Sequence, residues 1–224
     1  MASREYRWRH VALLITILLL FVTAPFVVSL HDGILIMNVI SVTVLVAGSY
    51  ALSERKYLFA IAVVLSAITI AGTALVLTFQ QPWAKLVSSS SIVVLVTFFC
   101  VTILSCVLGS GRVNADKIFA AICVYMLLGY GWAFGYSILL ELQPGSFAAT
   151  SEFDGNDYVG RMLQLRYFSF VTLTTMGYGD IVPRLPLART MAVLEAVMGQ
   201  FYLVALIGRL VGLHIVHGNV QRSR

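Results

Sequence analysis

Residues 174–180 read TTMGYGD. These residue types suit work by backbone oxygens rather than side-chain catalysis. Where residues at negative and positive φ alternate along a segment, successive carbonyls point the same way, and only glycine takes positive φ cheaply. Gly177 and Gly179 have that spacing. Thr175 adds a hydroxyl oxygen at the inner end. Tyr178 can brace the backbone through its ring and hydroxyl, and Asp180 can tie the outer end to a preceding helix. Thr174 supports the run from below. A dehydrated cation takes a row of such oxygens in place of its water shell.

A second Gly-Tyr-Gly, residues 129–131, lies inside MLLGYGWAF. No threonine precedes it, no polar turn follows, and the apolar run continues on both sides. There the small residues, with Gly135 beyond, let helices approach closely.

The elements around these residues must sit in lipid. Of 224 residues, 59% are apolar and 11% charged, against about 25% charged in a soluble domain. Apolar runs at 11–30, 34–52, 58–79, 86–108, 118–140 and 188–213 each approach the roughly 20 residues that cross a bilayer. The first is longer than a signal-peptide core and reads as a retained helix. The half-apolar stretch LQLRYFSFVTL ahead of the threonines is too short to span, and the prolines of IVPRLP behind the aspartate stop any helix. Entering and leaving on one side, it is re-entrant. Backbone of that kind at membrane depth survives only inside protein or beside a water-filled cavity.

If six helices alternate, ten basic residues fall on one side: Arg4, Arg7, Arg9, Arg55, Lys56, Arg112, Lys117, Arg209, Arg222 and Arg224. Five fall on the other: Lys85, Arg161, Arg166, Arg184 and Arg189. Positive-inside bias puts both termini in the cytoplasm. The external stretch 141–187 then carries Glu141, Glu152, Asp154 and Asp157, as a cation-concentrating vestibule or a solvated loop. The net charge of +5 includes no basic run with interleaved aromatics, so no nucleic-acid partner is expected. Cys100, Cys106 and Cys123 all fall in apolar runs and read as small packing residues.

TTMGYGD with its preceding short helix, placed between the last two helices of a six-span chain, resembles the signature of potassium channels of the pore-loop superfamily. The resemblance covers about 118–213; the first four spans match in number and topology. It implies ion sites built from the backbone carbonyls of Thr175, Met176, Gly177 and Tyr178, closed by Gly179, with the Thr175 hydroxyl. It implies that Asp180 hydrogen-bonds behind this filter, and that Gly199 stands where the inner helix often has a hinge. Met176 replaces the commoner valine or isoleucine. One loop offers too few oxygens to replace a hydration shell, so four copies around an axis are expected.

Gating residues are sparser. The fourth span, LVSSSSIVVLVTFFCVTILSCVL, has no charge, so no voltage sensor of the usual kind is expected. Glu195 is the acidic residue inside a span, read as a hydrogen-bonded structural group or a gating, proton-sensing one. Gly199 reads equally as hinge or packing surface. Gln200 is a cavity or packing residue, and Tyr202 a packing one. His214 and His217 alone lack the ligands for a metal site.

The expected fold is an all-α integral membrane homotetramer. A short cytoplasmic N-terminus, 1–10, precedes a four-helix domain, 11–108. The pore domain, 118–213, holds an outer helix 118–140, external loop 141–162, pore helix 163–174, filter 175–180 and inner helix 188–213, and a tail of 214–224 follows. The expected function is passive, potassium-selective conduction at the plasma membrane, without a cofactor, the partners being other copies, lipid and K+. The alternatives are a weakly selective cation channel and a proton-coupled transporter using Glu195; the transporter would be expected to show repeats or paired broken helices, which are not seen. No enzyme arrangement of Ser, His and Asp is present.

Overall fold

In hydrocarbon a backbone must satisfy its own amides, and each apolar run does so as a helix. A computed structural model describes residues 9–27, 33–53, 55–79, 81–109, 115–149 and 158–222. Five helices come first: α1 (Arg9–Val27), α2 (Gly33–Ala51), α3 (Lys56–Phe79), α4 (Pro82–Leu108) and α5 (Ala115–Leu142). Strand β1 (Phe147–Ala149), helix α6 (Tyr158–Leu173), strand β2 (Ile181–Pro183) and helix α7 (Pro186–Arg222) follow. Among the described residues, α3, α4, α5 and α7 contain stretches long and apolar enough to cross a membrane, while α1 and α2 supply shorter apolar stretches, His10–Phe26 and Val39–Ala51.

Several bounds differ from expectation. α6 begins at Tyr158 rather than 163, because Tyr158 and Val159 extend its apolar side past the interruption at Gly160 and Arg161. α7 starts with Pro186 in its first position, where a missing amide proton costs nothing. It runs to Arg222, past the end of the apolar run, since helical hydrogen bonding does not stop where hydrophobicity does. α5 takes in Asp116 and Glu141 at its ends, so Glu195 is not alone among acidic residues in a long apolar helix. α4 begins early enough to include Lys85 in its first turn; the stretch 86–108 remains uncharged.

α5 is the hub. It packs against α4 and α1 on one side and against α6 and α7 on the other, and α2 and α3 lie outside, against α1 and α4 respectively. One buried cluster joins α1, α4 and the first half of α5 through Leu13, Ile17, Leu95, Phe99, Ile103 and Val124. A second, around Tyr136, Leu165, Phe168 and Phe147, joins the outer half of α5 to α6 and β1. Tyr136, Phe147 and Phe168 meet edge to face with centroids 5.1 to 5.4 Å apart. Such pairs contribute about 0.5–1.5 kcal/mol each beyond area burial.

β1 pairs antiparallel with β2, Phe147 opposite Pro183 and Ala149 opposite Ile181. The Arg184 amide donates to Ser146 O at 2.8 Å. This pairing, absent from the expectation, staples the segment after α5 to the segment that follows residue 180. At that end Glu141 meets Lys85 at 3.7 Å and Arg161 at 3.6 Å. Glu141 is therefore a paired, largely covered carboxylate and not a free vestibule charge. Glu152, Asp154 and Asp157 lie outside the described residues. At the opposite end, the Gly109 carbonyl after α4 accepts from Lys117 Nζ (3.2 Å) and Arg209 Nη2 (2.9 Å), cations where the helix dipole favours them. There His10 Nδ1 and Asp116 Oδ2, both buried, lie 2.9 Å apart and tie α1 to α5.

Candidate ion-conducting site

The site is built on the last turn of α6. A helix ends with four carbonyls that lack intrahelical partners, and the chain folds back to use them. Phe170 O accepts from the Thr174 amide at 3.0 Å and Thr172 O from the Thr175 amide at 2.9 Å. Val171 O accepts from the Met176 amide at 2.9 Å and the Gly177 amide at 3.4 Å. Thr174 Oγ1 adds a bond to Phe170 O at 2.6 Å. In a trans peptide the N–H and the preceding C=O are antiparallel. With these amides turned toward α6, the carbonyls of Thr174, Thr175 and Met176 point away from it. Among the described residues no hydrogen bond is accepted by the carbonyls of Thr175, Met176, Gly177, Tyr178 or Gly179.

Within residues 174–180 the left-handed positions are Thr175 at φ +59, Gly177 at +58 and Gly179 at +80. Alternation reaches one step further inward than the two glycines, onto a threonine. A non-glycine residue there costs roughly 1–3 kcal/mol, held only because its surroundings over-determine it. Two contacts do so: the Thr175 amide on Thr172 O, and Gln200 Nε2 of α7, which donates to Thr175 Oγ1 at 3.3 Å. Nothing lies within 4 Å of where a Cβ on Gly177 or Gly179 would be, so these glycines answer to conformation and not to space.

The outer end is held through Asp180. Tyr167 Oη of α6 donates to Asp180 Oδ2 at 2.7 Å, and the Ile181 amide donates to Asp180 Oδ1 at 3.1 Å. The carboxylate pushes the Tyr167 hydroxyl up to about 12, so it stays a proton donor through the neutral range. Tyr178 makes no hydrogen bond among the described residues and is 66% exposed, so the bracing expected of it is not made within one chain. Residues 174–179 are exposed throughout.

The inner end is seated by α7. A Cβ on Gly199 would stand 2.4 Å from Leu173 O, so the helices meet there backbone to backbone. α7 is continuous through Gly199. The same Leu173 carbonyl accepts from Tyr125 Oη at 3.3 Å. Tyr202 donates to Ala121 O at 2.6 Å and lies against the Tyr125 ring. The side chains of His214 and His217 lie outside the described residues.

Glu195 is fully buried between three elements. Tyr136 Oη donates to its Oε2 and Ser169 Oγ approaches its Oε1, each at 2.5 Å; Ser169 Oγ also reaches Gly129 O at 2.7 Å. Ser169 has one proton and two acceptors in reach. All partners are satisfied when the carboxyl donates to Ser169 Oγ and Ser169 donates to Gly129. Sequence reasoning singled out Glu195 and missed Tyr136 and Ser169, because nothing in local spacing relates positions on three helices. Tyr167 was within reach of it, as an aromatic hydroxyl on the helix that Asp180 was expected to meet.

Residues 147–213 match a family model described as an ion channel. This span begins at β1 and contains α6, the 174–180 segment, β2 and α7 through residue 213. The C-terminal part of this multi-pass membrane protein is thus an ion-channel pore domain, and the match is not to an enzyme family. No curated protein and no solved structure matches the chain.

Proposed function

We propose that the chain forms a potassium-selective channel in which four copies bring their 174–180 segments around one axis. The observation that carries this reading is the left-handed geometry at Thr175, Gly177 and Gly179, with the intervening carbonyls unclaimed. Carbonyl oxygens of Thr175, Met176, Gly177 and Tyr178, with the Thr175 hydroxyl, replace the hydration shell of K+, and ions advance by knock-on between adjacent sites. Thr174 and Asp180 hold the two ends. The exposure of residues 174–179 and of Val193, Val197, Phe201 and Val204 on α7 supports further copies covering these surfaces. The chain lies in the plasma membrane with both termini cytoplasmic, crosses it six times, and lacks a charged voltage-sensing helix. Glu195 and Gly199, where α7 meets α6, are the positions at which inner-helix movement reaches the filter.

Purified chain in potassium-loaded liposomes tests this reading. Potassium efflux into sodium medium down its own gradient, with a proton ionophore carrying the compensating inward charge, together with a cross-linking ladder ending at four copies, is expected. Equal sodium and potassium fluxes would replace it with a weakly selective channel, and uptake driven by a proton gradient would replace it with a transporter.

A further inference from the structure

Arg166 was assigned to the external charges, yet it is buried, 9% exposed, on the side of α6 that faces the first helices. Among the described residues it has no carboxylate partner. Its guanidinium lies over the rings of Phe21 (5.5 Å) and Tyr130 (5.7 Å), and the Tyr130 hydroxyl beside it is buried without a hydrogen-bond partner. A cavity of about 400 Å³ adjoins these groups and reaches to α3. Its walls are mostly apolar, with Leu45, Ile92 and Phe134 among them, and its lining includes the exposed residues Val42, Ile70 and Leu77 of α2 and α3. Rings on two sides stabilise a cation only in part, and burying it in an apolar site without an anion is costly.

We infer that this cavity binds a long-chain fatty acid, its carboxylate on Arg166 and the Tyr130 hydroxyl and its acyl chain running toward α2 and α3. The planar fork of arginine matches a carboxylate with two parallel hydrogen bonds, and Tyr130 supplies a third donor. The volume lies in the range of small-ligand pockets, about 300–1,000 Å³, and is suited to one acyl chain rather than two. The entrance through exposed α2 and α3 residues faces the phase in which fatty acids dissolve. Arg166 and Tyr167 are neighbours on α6, so the turn that carries the ligand also holds Asp180.

Radiolabelled palmitate binding to the purified full chain in nanodiscs of zwitterionic lipid tests this inference without depending on conduction. Saturable binding approaching one palmitate per chain is expected, with hexadecanol at equal concentration failing to compete. Arg166→Gln should weaken binding about tenfold or more, as loss of a charge-assisted contact does. Ala74→Phe fills the cavity from its exposed α3 wall and should lower occupancy while leaving Arg166 untouched; this variant decides the matter if Arg166→Gln does not fold. Non-saturable binding, equal competition by hexadecanol, or unchanged occupancy in Ala74→Phe would overturn the site. Phosphatidylglycerol competing as well as palmitate would overturn the carboxylate assignment.

Discussion

The chain contains Gly-Tyr-Gly twice, and the two copies do opposite jobs. At 129–131 the triplet is helical, inside α5. A Cβ on Gly129 would meet the Phe170 ring at 2.7 Å, and one on Gly131 would meet Val96 at 3.2 Å. Phe170 fills the saddle over Gly129, with Phe21 edge-on at 4.9 Å and Tyr130 at 5.8 Å. At 177–179 both glycines have positive φ and open space around them. The first copy needs glycine for what is absent beside it, the second for a backbone shape. The comparison teaches that a motif's function comes from the element that carries it: a continuous helix turns the triplet into a packing surface, and the end of a short helix turns it into a row of free carbonyls.

Substitutions separate the two kinds of glycine. The largest effect is expected at Gly199, a helical packing glycine set against the last residue of α6. A methyl 2.4 Å from Leu173 O finds backbone rather than a movable side chain, so Gly199→Ala should cost about 3 kcal/mol or more, the upper part of the range for overpacking. Thermal melting and size-exclusion chromatography in detergent measure it. A native melting temperature with altered open probability would assign Gly199 to a hinge instead.

Gly129→Ala comes next, at about 1–3 kcal/mol, with ion selectivity kept. Phe170→Leu in the same chain should recover part of this loss, and a double-mutant cycle showing no coupling would remove Phe170 from the account. Ser169→Ala is expected to cost about 1–3 kcal/mol by leaving Gly129 O and Glu195 without their shared hydroxyl. Glu195→Gln, which keeps both a donor and an acceptor, should cost less than Ser169→Ala; the reverse order in melting would mean that the negative charge itself is needed.

The smallest effect on melting is expected at the exposed Tyr167–Asp180 pair. Tyr167→Phe should melt like the parent but lose K+/Na+ selectivity. The sign of its pH dependence follows from a folded value near 12, above the ordinary tyrosine value near 10. The contact is complete below pH 10 and is lost as pH rises through 12. A selectivity that falls between pH 8 and 9 would show another group to be responsible.

Much of the framework was legible because lipid enforces simple rules. Apolar runs located the six longer helices, and the glycine spacing located two of the three left-handed positions within 174–180. The third, Thr175, was not legible, since a threonine carries no signal for positive φ; its neighbours impose it. The start of α6 at Tyr158 escaped because Gly160 and Arg161 interrupt the apolar pattern. The β1–β2 pairing escaped because three-residue strands are too short for alternation to register. The burial of Arg166 was not legible because charge counting assigns a side and not a depth, and the two aromatic rings that cover it come from α1 and α5. The companions of Glu195 come from α5 and α6 and become neighbours only after packing.

The central claim is that residues 174–180, and not the second triplet, set ion selectivity. Reversal potential under a potassium/sodium gradient, in planar bilayers containing purified protein, tests it most directly. Reversal near the potassium equilibrium value is expected for the native chain and for Gly129→Ala, and loss of selective current in Gly177→Ala. Reversal near zero in the native chain, or an unchanged reversal potential in Gly177→Ala, would contradict it.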